Sequence, residues 1–254
     1  MEKPTQLTTD KSNPTPPPLS FLQSIPYFML PSLFFAVMSW WAVRALTSAG
    51  VSMIWSFTGL FVGCLATLGC LGIILAKKET EKPSIYRRLW LKPSRVSDVL
   101  IGLVIGLIGL ATYKELQGVT GWLLSIWPFG LPSWQYQIFG DGMFFGIPVE
   151  QNSWLIAVFL IIYLANVIGE EVWWRGYILP RQVKGIGRNA WVANGLLWAL
   201  FHMFQPWDII SLIPIALGIS FMSQYRKSAW IGIVAHGVLN SIGWIPLLRL
   251  AIQC

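Results

Sequence analysis

The chain has 254 residues, 55% of them hydrophobic and only 11% charged, with a mean hydropathy of +0.59 and a formal net charge of +7. A soluble domain carries roughly 25% charged residues, so the composition excludes a soluble enzyme and describes an integral membrane protein. At roughly 20 residues per membrane helix, this length suits one bundle of about six to eight spans.

Residues 1–24 are polar and proline-rich, with no short apolar core and no small-residue cleavage site, so they read as a disordered tail and not as a removable signal. The remainder, 25–254, reads as a single transmembrane domain. Apolar stretches at about 25–46, 53–76, 98–113, 153–169, 191–204, 209–223 and 228–250 predict an all-α polytopic bundle of about seven helices. The segment 117–148 is rich in Trp, Phe, Gly and Pro, which suits an interfacial or re-entrant connection with room for an eighth short helix. The GxxxG spacings Gly59 to Gly63 and Gly102 to Gly106 read as close helix packing, and Trp40, Trp41, Trp90, Trp127 and Trp134 as interface belts. Cys64 and Cys70 share one apolar segment and Cys254 ends the chain, which gives neither a disulfide framework nor a CxxC metal pair.

Basic residues cluster in three places: Lys77 to Arg95, Arg175 to Arg188, and Arg226 with Lys227. Seven alternating spans put all three on one side, which the positive-inside rule makes cytoplasmic, with a cytoplasmic N-terminus. The net charge is thus a topology signal, and no nucleic-acid partner is expected.

Ionisable residues inside apolar stretches carry the functional information. One such group costs about 2.5 to 3.5 kcal/mol to insert even on lenient scales, so it usually faces the bundle interior and a partner. The chain has two histidines, His202 and His236, both in apolar surroundings, and the apolar run 154–168 ends in the adjacent acids Glu170 and Glu171. Helical spacing of four puts Glu171 with Arg175, Trp198 with His202, and His236 with Asn240 on common faces. Glu170 then points about 100° away from Glu171, without a local cation. Rise along the helices, measured from Arg175, Arg188 and Lys227, lets Glu170, His202 and His236 meet in the cytoplasmic half.

Two acids and two histidines in a low-dielectric pocket suit activation of a water. Glu170 serves as general base, and a histidine holds the water or donates to a developing oxyanion. The same groups suit zinc, with Glu170, His202 and His236 as ligands and a fourth position open. They also suit a proton relay in a transporter, although the chain lacks paired broken helices in two corresponding halves. Taken singly, an acid pair at a helix end is an interfacial face, and a membrane histidine satisfies an interhelical hydrogen bond.

The arrangement resembles the CPBP intramembrane proteases, which include type II CAAX prenyl endopeptidases and bacterial Abi proteins. Their EExxxR motif is matched from Glu170 to Arg175, and their His-x-x-x-Asn motif from His236 to Asn240. Their Phe-x-x-x-His motif is matched at His202, with Trp198 in the Phe position. The matching region is about 150–250. The resemblance implies an intramembrane endopeptidase in which Glu170 and His202 activate water and His236 and Asn240 stabilise the oxyanion. Glu171, Arg175 and Trp198 support them, and the cavity is expected to open to the cytoplasmic side. It implies either no cofactor or zinc, and a membrane-associated protein or peptide as substrate. Its rival readings are a non-catalytic immunity, scaffold or assembly protein and a proton-coupled transporter. The expected location is the plasma membrane of a bacterial cell.

Overall fold

The structure is a computed structural model that describes residues 16–79, 85–135, 142–244 and 247. The expected tail therefore lies outside the described residues as far as residue 15. Its last residues are already folded: the first helix starts at Phe21, capped by Ser20 and Gln23, and Leu19 is buried. Helix α1 (Phe21–Val37) continues through a π-helical turn, Met38–Ala42, into α2 (Val43–Ser48). Then come α3 (Met53–Lys78), α4 (Ile85–Arg88), α5 (Val96–Glu115) and α6 (Gln117–Ser125). A two-residue antiparallel pair, β1 (Met143–Phe144) with β2 (Ile147–Pro148), precedes α7 (Trp154–Glu171). Helix α7 runs on through a π-helical stretch, Val172–Ile178, into α8 (Leu179–Ile186). The last elements are α9 (Ala190–Phe201), α10 (Ile209–Arg226) and α11 (Trp230–Asn240).

Among the described residues five helical stretches are long and apolar enough to cross a membrane, and Trp230–Gly243 is a shorter apolar helix. One of the five, Trp154–Phe204, runs over 51 residues and holds two helical limbs. Asn194 donates to Gln182 Oε1 at 2.8 Å and to the Trp174 carbonyl at 3.3 Å, contacts that require α9 to fold back along α8. With that reversal seven helical stretches, alternating in direction along the chain, are present among the described residues, and the chain is a multi-pass, all-α membrane protein. The segment 117–148 holds the short α6, a non-helical run and the β pair; residues 136–141 lie outside the described residues.

The three basic segments meet at one end of the bundle. Glu79, at the end of α3, takes Arg88 at 2.8 Å and also pairs with Arg181. Arg226 reaches Asp98 at 2.9 Å, the Trp230 indole donates to the Lys92 carbonyl at 2.7 Å, and Gln224 donates to the Arg188 carbonyl at 2.8 Å. Leu19 donates its backbone N–H to the Arg181 carbonyl, which brings the start of α1 to the same end.

Two close crossings fix the helices that carry the motifs. Helix α7 meets α3 at Gly169 and Gly69, where a Cβ on Gly169 would collide with the Leu65 carbonyl; this crossing immediately precedes Glu170. Helix α11 lies against α5, where a Cβ on Gly106 would sit 2.9 Å from the Ala235 carbonyl oxygen, one residue from His236. The expectation of close packing holds for Gly102 and Gly106 and fails for Gly59 and Gly63. Those two face outward, and a methyl group on either would meet nothing within 4 Å, because α3 turns the opposite face to the bundle. Trp134 is likewise no belt residue: it is buried against Phe57, ring centroids 4.8 Å apart.

Candidate active site

The acids stand where the α-helical part of α7 gives way to the π-helical Val172–Ile178, a local widening often found at functional sites. Every residue from Gly169 to Gln182 is buried. Trp174 stacks on Phe28 at 4.2 Å and Trp173 on Tyr177 at 5.3 Å, so the two tryptophans wedge this stretch between α1 and the basic end.

Glu171 behaves as its spacing implies. Arg175 Nη1 donates to Glu171 Oε1 at 2.7 Å, and both side chains are completely buried. His236 Nδ1 donates to the same oxygen at 3.1 Å. Arg175 also lies over the Trp198 ring, 4.3 Å from its centroid.

Glu170 is 2% exposed and, among the described residues, makes no salt bridge, the nearby Arg175 being paired with Glu171. Its Oε1 accepts from Asn166 Nδ2 at 2.8 Å and its Oε2 from the Trp198 indole at 2.7 Å. Trp198 thus holds the acid directly, which a phenylalanine in its place cannot do. Its other end receives His202: the ring Nδ1 lies 2.9 Å from the Trp198 carbonyl. A carbonyl can only accept, so the proton is on Nδ1 and Nε2 keeps its lone pair for the cavity. Trp198→Phe keeps the ring and removes one N–H donor to a charged acceptor, a bond of about 1.5 to 3 kcal/mol. We expect a lowered unfolding midpoint together with a fall of about tenfold or more in the peptide cleavage that the resemblance implies, as measured by initial rates beside a melting curve.

His236 and Asn240 complete the group. Asn240 Nδ2 lies 3.1 Å from His236 Nε2 and also donates to Asn166 Oδ1. Because His236 gives its Nδ1 proton to Glu171, its Nε2 accepts. All seven expected residues are therefore brought together, and an eighth, Asn166, joins them. Sequence reasoning passed over Asn166, although it sits four residues before Glu170, one helical turn away, and is a polar residue in an otherwise apolar run.

The zinc set does not fit this arrangement. His236 uses one ring nitrogen on Glu171 and the other on Asn240, which leaves it no lone pair to give a metal. Among the described residues no three His, Cys, Asp or Glu side chains are grouped to hold a metal ion.

Glu170, His202, His236, Asn166 and Asn240 line a cavity of about 520 Å³ whose other walls are mostly aromatic and aliphatic. Its further lining comes from Met38, Phe57, Tyr113, Asp208 and Gly243, all at the ends of their elements remote from the basic segments. The cavity thus extends away from the basic end. The depth reckoning failed because Arg175, taken as a marker of the membrane surface, is an interior residue paired with Glu171.

Residues 152–242 match the family model Type II CAAX prenyl endopeptidase Rce1-like, a segment that contains all three motifs. No curated protein and no solved structure matches the chain.

Proposed function

We propose that this chain, whose residues 152–242 match the type II CAAX prenyl endopeptidase model, is a member of the CPBP intramembrane protease family and an endopeptidase that uses Glu170 to activate water. The observation that carries the reading is a buried carboxylate that makes no salt bridge among the described residues, held by two N–H donors at the wall of a cavity it shares with both histidines. Glu170 takes a proton from a water oriented by the free Nε2 of His202, and the water oxygen bonds to the scissile carbonyl carbon. The resulting oxyanion takes an N–H of Asn240. Glu170 then returns the proton to the leaving nitrogen, the C–N bond breaks, and a carboxylic acid and an amine depart, the acid passing its proton to the amine or to solvent. His236 orients Asn240, and the Glu171–Arg175 pair fixes His236.

The substrate is a membrane-associated peptide or protein segment, since the walls between the polar groups are apolar. The lining includes the carboxylates of Glu170 and Asp208 and, among the described residues, no lysine or arginine. A neutral or cationic segment is therefore favoured over a terminal carboxylate. The test is cleavage by the purified protein of a set of transmembrane peptides differing in charge, with products identified by mass spectrometry. Cleavage of neutral and cationic members supports the reading, and an inert protein across the set contradicts it.

The basic end is assigned to the cytoplasm, in a bacterial plasma membrane, on the excess of Lys and Arg. Substrate then reaches the site from the opposite leaflet. In a variant with Cys64, Cys70 and Cys254 replaced by serine, a cysteine at Ser133 should react with an impermeant maleimide on intact cells. A cysteine at Arg95 should react only after permeabilisation, and the reverse pattern would overturn the orientation.

A further inference from the structure

Around the cavity the polar side chains form one continuous chain of hydrogen bonds. It runs from Arg175 through Glu171, His236, Asn240 and Asn166 to Glu170, and on through Trp198 to His202. Asn166 is the link between the half that holds the base and the half that holds the oxyanion donor. Its orientation is forced: the Glu170 carboxylate accepts only, so Asn166 turns Nδ2 toward it and Oδ1 toward Asn240. Asn240 must then present Nδ2, whose second hydrogen goes to His236 Nε2.

Both N–H bonds of Asn240 are therefore committed before substrate arrives, one to His236 and one to Asn166. To stabilise an oxyanion, Asn240 must exchange one acceptor for another. We propose that Asn166, which lies outside the three motifs, is the positioning residue of this site. Its amide N–H aims the Glu170 carboxylate, and its amide oxygen holds on Asn240 the place that the substrate's oxyanion takes. The exchange replaces one neutral acceptor by a charged one, so the new bond is the stronger and forms in the transition state. The proposal rests on the peptidase reading of the site.

The test compares Asn166→Ala and Asn166→Asp with the wild-type protein and with Asn240→Ala, all checked for monodispersity and thermal unfolding. We expect Asn166→Ala to lower kcat about 10- to 100-fold with KM within about threefold, because an interaction of the transition state is lost. Asn166→Asp is the closer match in shape, yet it sets a second carboxylate against Glu170 and should be slower than alanine; a purely structural role predicts the opposite order. The Asn166→Ala/Asn240→Ala double variant should fall well short of the product of the two single effects, since the residues act through one bond. Wild-type rates in Asn166→Ala, a faster Asp than Ala variant, or multiplicative losses in the double variant would each overturn the inference while the peptidase reading stands. A wild-type protein that cleaves nothing overturns both.

Discussion

Glu170→Gln should lower kcat by about 10²- to 10⁴-fold, the range a positioned general base supplies, with KM changed only about threefold. The substitution preserves length and shape but ends proton acceptance. It also creates a local conflict, because both oxygens of Glu170 accept N–H groups, from Asn166 and from Trp198. A glutamine must turn its own NH₂ toward one of those donors, and the unpaired group costs about 1 to 3 kcal/mol in a buried setting. Steady-state kinetics with a fluorogenic transmembrane peptide, beside a melting curve in the same detergent, separates the two effects. A variant that melts slightly earlier and cleaves at near wild-type rate would remove Glu170 from the base role.

The second large effect falls on stability. Among the described residues, Arg175→Leu leaves the completely buried Glu171 with His236 as its remaining partner, and Oε2 of Glu171 already lacks one. Removing one member of a buried ion pair typically costs about 3 to 5 kcal/mol, because the other charge stays in a low-dielectric interior. The loss should appear as a large drop in the unfolding midpoint. Replacing both, as Arg175→Leu with Glu171→Leu, removes the orphaned charge and should recover part of the midpoint, although the double variant loses the anchor of His236 and with it activity. Equal midpoints for the single and double variants would show that the pair is not the stabilising unit the geometry describes.

How much of this was legible in the residues depends on the kind of signal. The helices announced themselves through apolar runs, and the pairings within one helix through a spacing of four: Glu171 with Arg175, and His236 with Asn240, are bonded as that spacing implies. Pairings between helices were not legible. Nothing in the chain says that the Trp198 indole would reach Glu170 or that His236 would serve Glu171 instead of Glu170, because those contacts depend on how α7, α9 and α11 are rotated about their axes. Asn166 was missed for a simpler reason, since a neutral amide inside WLIAVFLIIYLANVI carries no charge to draw attention, even though its position one turn before Glu170 was open to view. Depth was misjudged because basic residues serve two purposes here. Lys92 and Arg226 mark the end of the bundle, whereas Arg175 is an interior counter-ion. Likewise Gly102–Gly106 and Gly59–Gly63 share one pattern, but only the first pair faces a neighbouring helix.

On the proposed reading, water activated by Glu170, held by Asn166 and Trp198 and not by a metal, breaks a peptide bond within the cavity. The most direct test of that reading is cleavage of a transmembrane peptide by exhaustively chelated protein in ¹⁸O-water, followed by mass analysis of the new carboxyl terminus, for the wild-type chain and Glu170→Gln side by side. The chelated wild-type protein should give ¹⁸O-labelled product at an undiminished rate, and the variant almost none. Cleavage that disappears on chelation and returns with added zinc, or that survives in Glu170→Gln, would contradict it.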